Sequence, residues 1–454
     1  MKIIRSTPLQ NRFFQEETLQ DGNTKPSVER GIINIYDDCT YQSIQGFGGA
    51  FTESAAYNYA KLTNAQKCEF MEKYFSRKHG IAYNFGRMHI NSCDFSLDIY
   101  TYVTDGDLDL STFSIDRDKK YIIPFIKDAM AYCEGELALF ASPWSPPAYM
   151  KDNESPIRGG ALKEQYKTVW ARYYAKYIKV MAAEGVHIAA ISVQNEPNAC
   201  QPWESCSYTP AQEREFIEKH LFPVLDEEGL SHVKVIIWDH NKERVYDRTK
   251  EIFESETVRE RVWAVGHHWY SGDHFEGLQL VHEKFGKTLI STEICGIINQ
   301  DPVVVAENYG RELCEDFNHF TSIFCDWNLL LSEQGGPYHN RTESTTAVAG
   351  KIFEDKSRGC YAPVLLDNTT GQLIYTPIYY YIGHFSKFIQ KGAVRIATTR
   401  HTYQIFTCAF KNPDGSIVLV AMNPTDAEQP AAIRYNGQIT KTTLAPHSII
   451  TAIL

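Results

Sequence analysis

Two glutamates stand out by their settings. Glu196 lies in "VQNEP", behind the apolar, β-prone run 187–193 and in front of a proline, and Glu293 lies in "ISTEICG", behind a second such run. A carboxyl group aimed out of the end of a buried strand, with an amide before it at Asn195, is placed for acid–base or nucleophilic work on a polar substrate. A pair of carboxyls is what cleavage of a glycosidic bond needs: one protonates the leaving oxygen, and the other acts at the sugar carbon. An isolated glutamate at a strand end is more often a solvated loop residue. Here Asn195 before it, Pro197 after it and the second glutamate favour the chemical reading.

Other chemistry-bearing residues follow similar apolar runs. Arg87 and Asp94 follow the second of these runs and Trp144 the third. "WDHN" (238–241) follows the fifth, and His268, Trp269 and Tyr270 end the sixth in "HHWYSG". Trp327 ends the eighth in "CDWNLLL". Polar groups of this kind hydrogen-bond sugar hydroxyls, and aromatic faces pack on sugar C–H surfaces. Plainer readings exist for each: the tryptophans could be core, and Arg87 could be a purely structural partner for carboxylates. Asp239, His240, His267 and His268 could form a metal cluster. Metal-dependent barrel hydrolases typically carry an His-x-His pair on the first strand, however, and "SIQGFGG" has no histidine, so neither a metal nor another cofactor is expected. Cys93 and Cys295, near the same residues, need be no more than small apolar fillers.

The elements that must position these residues are eight short runs, "SIQGFGG", "IAYNFGRMHI", "ELALFAS", "HIAAISV", "HVKVIIW", "VWAVGHH", "TLIST" and "SIFCDW". Stretches of helical periodicity separate them, such as "NAQKCEFMEKYFSRKHG" and "EQYKTVWARYYAKYIKVMAAEG", the second stopping at Gly185. Alternation of this kind predicts an α/β fold, a (β/α)8 TIM barrel over residues 43–387, whose chemistry belongs at the carboxyl ends of the strands. The C-terminal stretch instead alternates with period two between turn signals at "NPDG", "NPTD" and "YNG", and the N-terminal "GIINIYD" can join it. Residues 1–42 and 388–454 are therefore expected to form an antiparallel β-sandwich side domain.

Composition narrows the partners. A formal net charge of −11 without a basic run argues against nucleic acid or an anionic membrane, and 13% aromatic residues suits a small glycoside or oligosaccharide. No run is long and apolar enough for a transmembrane helix, and "MKIIRSTPLQNRFF" lacks a signal-peptide core, so the expected location is cytoplasmic. The 11 cysteines are scattered without Cys-x-x-Cys spacing, which fits reduced thiols. One close pair, Cys200 and Cys206, could be a disulfide or half a metal site.

The chain resembles glycoside hydrolase family 30, of the glucosylceramidase-like group. The resemblance rests on "QGFGGAFTESAA", "SCDFS" with "YTYV", "ASPWSPPAYMK", "VQNEP", "HWY", "STE", "DWNLLL", "EQGGP" and "YYIGHFSKFI", in the family's order from about residue 45 to residue 390. It implies a retaining exo-acting β-glycosidase, with Glu196 as acid/base and Glu293 as nucleophile. It also implies that Asn195 holds the sugar 2-hydroxyl and that Asp94, Trp144 and Trp327 line the pocket for the non-reducing sugar. Tyr270 would hydrogen-bond Glu293, with Arg87, His268 and Trp269 in support. Two alternatives remain: a β-1,6-glucanase or β-xylosidase of the same family, and a non-catalytic carbohydrate-binding barrel. One departure concerns the loop after strand eight, where the family often reads "GGPN" with a second Asn and this chain reads "GGPYHNRTEST". Tyr338 replaces the first Asn, and Asn340 is the candidate for the second. That loop is expected to shape the leaving-group side.

Overall fold

The computed structural model describes residues 1–19, 30–133, 137–339 and 359–454. Among them, eight parallel strands close into a barrel with every neighbour consecutive in sequence. They are β1 (Gly46–Ala50), β2 (Phe85–Ile90), β3 (Ala138–Pro143), β4 (Ile188–Ser192), β5 (Lys234–Asn241), β6 (Ala264–His268), β7 (Thr288–Glu293) and β8 (Thr321–Asn328). Each of the eight apolar runs contributes one strand. The runs are legible because a parallel strand covered by helices outside and packed inside is apolar on both faces. Strands β1 and β2 approach closely: a Cβ on Gly48 would stand 1.7 Å from the Phe85 carbonyl oxygen, so only glycine fits.

Inside the barrel, Phe85, Phe140, Ala190, Ile236, Ala264, Ile290, Ile323 and Cys325 form one packed apolar layer. Strand periodicity places the residue two positions on from each of these on the same face, nearer the carboxyl end. On β2, β3 and β4 these are Arg87, Ser142 and Ser192, so the barrel interior turns from apolar to polar within one step. Arg87 thus lies within β2 rather than after it, and "WDHN" forms the last four residues of β5.

The outer helix Lys167–Ala183 buries Trp170, Tyr173, Tyr174, Tyr177, Ile178 and Met181, a stripe at helical spacing, and the chain turns away at Gly185 with φ +80°. The earlier helix opens with a capping box between Thr63 and Gln66 and ends at Phe75, five residues short of the predicted Gly80. Its end folds back on itself, the Ile81 amide donating to the Lys73 carbonyl at 2.8 Å.

The two termini build a nine-stranded sheet beside the barrel. Strand Lys2–Thr7 pairs with Arg12–Thr18 on one side and with the final strand Ser448–Ile453 on the other. The described pairings are antiparallel except that of Ile32–Ser43 with Ala432–Tyr435, which is parallel. A two-stranded ribbon, Gln429–Pro430 with Thr443–Leu444, accompanies it. Buried His384, on helix Pro377–Ser386, joins the parts through Ser6 Oγ and Thr451 Oγ1, both at 2.8 Å. No described helix is long and apolar enough to cross a membrane.

Candidate active site

The floor of the barrel mouth is a buried polar network centred on Asp239. Its Oδ2 accepts from Arg87 Nη2 at 2.9 Å and lies 2.8 and 2.6 Å from the Ser142 and Ser192 hydroxyls. Its Oδ1 is 3.1 Å from His268 Nε2. Arg87 extends the network, donating to Glu293 Oε2 at 2.6 Å and to Asn195 Oδ1 at 2.8 Å. At the other end, His268 Nδ1 lies 3.3 Å from Glu196 Oε1. The two glutamates expected to act on substrate are thus ends of one chain, Glu293–Arg87–Asp239–His268–Glu196.

Local backbone irregularity aims them. The β5/β6 register shifts between Ile237 and His240, where Trp238 and Asp239 have φ of +70° and +49°. The β6/β7 register shifts between Ser291 and Glu293. Bulges of this kind re-aim a side chain at the end of a strand. Glu196 is itself left-handed, φ +49°, and its amide donates to the Asp239 carbonyl at 2.9 Å. A glutamate pays strain there, so the surrounding contacts fix its direction.

The charges follow from these contacts. Burial raises Asp239, but Arg87, His268 and Ser192 outweigh it and hold its carboxyl well below the usual range. Burial is also the largest influence on both glutamates. For Glu196 it is reversed by the His268 hydrogen bond and the charges of His240 and His268, leaving the group below its ordinary value. For Glu293 the pull of His268, Arg87 and Tyr270 does not overcome burial and the charge of Glu196, and the group lies above its ordinary value. Arg87 thus makes the supporting contact to Glu293 without setting the direction of its net shift. Burial would lower His268, yet Glu293, Asp239 and Glu196 push it up to about 9. His268 therefore favours its protonated form and stands one hydrogen bond from Glu196.

A cavity of about 670 Å³ opens above this floor, and Asp94, Trp144, Asn195, Glu196, Tyr270, Glu293 and Trp327 all line it. Trp144 and Trp327 stack at 5.3 Å, with the Arg87 guanidinium 4.8 Å from the Trp144 ring, so both tryptophans are at once buried and pocket wall. Asn195 Oδ1 is occupied by Arg87, which leaves its amide nitrogen as the end free to donate to a hydroxyl. The Tyr270 hydroxyl donates to Glu293 Oε1 at 2.9 Å. Trp269 lines the same cavity and packs edge-on against Tyr309.

At the Asp94 end, Tyr338 forms part of the wall and His339 packs behind it. The His339 amide donates to the Asp94 carbonyl at 3.1 Å, its Nε2 is 2.7 Å from the Cys93 carbonyl and 3.1 Å from Glu204 Oε1, and Tyr338 packs on Phe95. Tyr338 therefore lines the cavity beside Asp94. Asn340 lies outside the described residues. Sequence reasoning missed Ser142, Ser192, Glu204 and His339. The serines carry no signal beyond their place two residues above an apolar strand position.

Of the four residues considered as metal ligands, His267 is fully buried against Thr321 and faces away from this cluster. Glu196, His240 and His268 do present ligand atoms within 4.8 Å of one another. Cys200 and Cys206 are both free thiols, one exposed and one buried.

Residues 44–389 match the family model of the glycosyl hydrolase family 30 TIM-barrel domain, and residues 392–452 that of the family 30 beta sandwich domain. The lysosomal acid glucosylceramidase of Mus musculus is 30% identical over 425 residues, 88% of this chain and 79% of that protein. The solved structure of SrfJ from Salmonella typhimurium superimposes with a TM-score of 0.93 at 30% identity, over 100% of this chain and 99% of that one. An endo-β1,6-glucanase structure superimposes with a TM-score of 0.86 at 25% identity, over 100% and 98% of the two chains. With both domains matched in order around a mouth that holds two carboxyl groups, the chain belongs to glycoside hydrolase family 30.

Proposed function

We propose that the protein is a retaining, exo-acting β-glucosidase of the glucosylceramidase type. The observation that carries this reading is that Glu196 and Glu293 line one cavity with different partners. Glu293 accepts from a guanidinium and a phenol, which steady a carboxylate nucleophile, whereas Glu196 touches the protonated His268, a source for the proton an acid must deliver. Glu293 attacks the anomeric carbon to form a glycosyl ester while Glu196 protonates the departing oxygen. Glu196 then takes a proton from water, which breaks the ester. Asn195 donates to the 2-hydroxyl, and Asp94 receives the hydroxyls at the far side of the ring.

The His339 contacts that fix the Cys93–Asp94 segment support exo action, because they hold in place an acceptor for the outer hydroxyls of one terminal sugar. Ile297 lines the same cavity and is exposed, which favours an apolar leaving group such as an alkyl or lipid chain. The likeness to an endo-β1,6-glucanase supports a second reading, internal cleavage of a β-1,6-glucan. A panel of aryl β-glycosides bearing glucose, xylose, galactose or fucose, run beside β-1,6-glucan, separates them. Preferred release of glucose from the aryl glucoside supports the first reading. Oligosaccharides from the glucan with no aryl glucosidase activity overturn it in favour of the second.

A further inference from the structure

Cys295 lies two residues beyond Glu293, and Cys360 faces it from the segment that follows the loop after β8. Their sulfurs are 3.4 Å apart, both side chains are partly exposed, and both line the catalytic cavity. The backbone holds them there independently of the thiols. Ile297 and Cys360 form an antiparallel bridge, the Tyr361 amide donates to the Gly296 carbonyl at 2.7 Å, and the Ile298 amide donates to Gly359 at 3.0 Å. A second close pair, Cys314 and Cys408 at 3.8 Å, is fully buried and provides an internal contrast.

We propose that Cys295 and Cys360 are a modification site on the wall of the catalytic cavity, a thiol pair that a small disulfide oxidises to a Cys295–Cys360 bond, with loss of the Tyr270 contact that steadies Glu293. A disulfide spans about 2.05 Å, so the sulfurs must close by roughly 1.4 Å, which is within side-chain rotation. One thiolate of the pair attacks a sulfur of the small disulfide, breaks its S–S bond and expels one thiolate, leaving a mixed disulfide. The second cysteine loses its proton, attacks the first cysteine's sulfur and expels the other thiolate. Two protein thiols are oxidised, the reagent is reduced to two thiols, and both protons pass to the leaving thiolates. Cys295 Sγ lies 3.3 Å from the Tyr270 hydroxyl, which donates to Glu293. Once bonded, that sulfur has no proton and moves toward Cys360, so the phenol loses its second anchor.

The test treats the full chain with bis(2-hydroxyethyl) disulfide, alkylates the remaining thiols and maps the peptides by mass spectrometry. The expected result is a peptide pair joined through Cys295 and Cys360, with Cys314 and Cys408 unlinked. Activity should fall about tenfold, equivalent to roughly 1.4 kcal/mol in the barrier, and return with dithiothreitol. Cys360→Ser, which cannot close the bond, should yield no cross-linked peptide. The activity readout rests on the hydrolase reading, whereas the cross-link does not, so the two can fail separately. Full alkylation of both thiols, a mixed disulfide that never closes, or a closed bond with unchanged activity would each overturn the proposal.

Discussion

Arg87 donates to Glu293 across 2.6 Å from a guanidinium with no solvent exposure. The same group spans Asp239, Asn195 and Ser142, so it is a joint for the whole floor as well as a partner for one glutamate. Lysine presents a single point charge and cannot make that fork. Arg87→Lys should therefore leave part of the buried carboxylate pair unmatched and destabilise the fold by about 3 kcal/mol, near the lower end for breaking a buried ion pair. An unchanged urea midpoint would show that the network is not structural.

Glu293→Gln keeps the shape of the pocket and removes the nucleophile. Turnover should fall on the order of a thousandfold or more, while binding of a sugar ligand, followed by calorimetry, changes little. A variant that keeps a tenth of the wild-type rate sinks the assignment.

Two buried histidines set an alkaline limit on stability. His268 is pushed up to about 9 against the effect of burial by Glu293, Asp239 and Glu196, and His339 to about 9, again against burial, by Glu204. Both lie above the ordinary value of 6.5. The folded state therefore binds the extra protons: their stabilisation is full below about pH 6.5 and is lost as pH rises through about 9. The melting temperature should fall between about pH 7 and pH 9.5. His339→Asn should flatten that fall, and an equally steep curve in the variant would remove His339 from the account. Asp239 acts in the opposite sense, its contribution being present above the usual carboxylate range and lost on acidification.

The barrel was legible because each strand begins as a run apolar on both faces, a pattern that survives without any knowledge of neighbours. The site was legible where a side chain is chemically out of place, as Glu196 and Glu293 are after apolar runs. Ser142 and Ser192 escaped notice because a serine is unremarkable until the barrel closes and brings Asp239 within 2.8 Å. The charge balance at Glu293 escaped for a related reason. Sequence reveals that an arginine is present, but the weight of burial and of a second carboxylate emerges only with the fold.

A chelator distinguishes the carboxylate chemistry from the metal alternative. Glu196, His240 and His268 are spaced as zinc ligands could be, yet the proposed steps run through Glu196 itself, which a bound ion would occupy. Exhaustive dialysis against EDTA should leave the rate unchanged. Loss of activity that zinc restores would move the chemistry to that cluster.

The sharpest separation of roles comes from Glu196→Ala, because an acid/base residue matters in one half-reaction more than the other when the leaving group is good. Dinitrophenolate departs without protonation, so the variant should still form the glycosyl ester on Glu293 and then stall, with no base to activate water. Azide needs no deprotonation and should accelerate the stalled enzyme. The product expected is the β-glycosyl azide, since two successive inversions restore the starting configuration. In Glu293→Ala, where azide replaces the nucleophile directly, a single inversion should give the α-azide. An α-azide from Glu196→Ala would mean single displacement and end the retaining mechanism. Indifference of that variant to azide would remove the acid/base role from Glu196, and with it the reason for a histidine proton held 3.3 Å away.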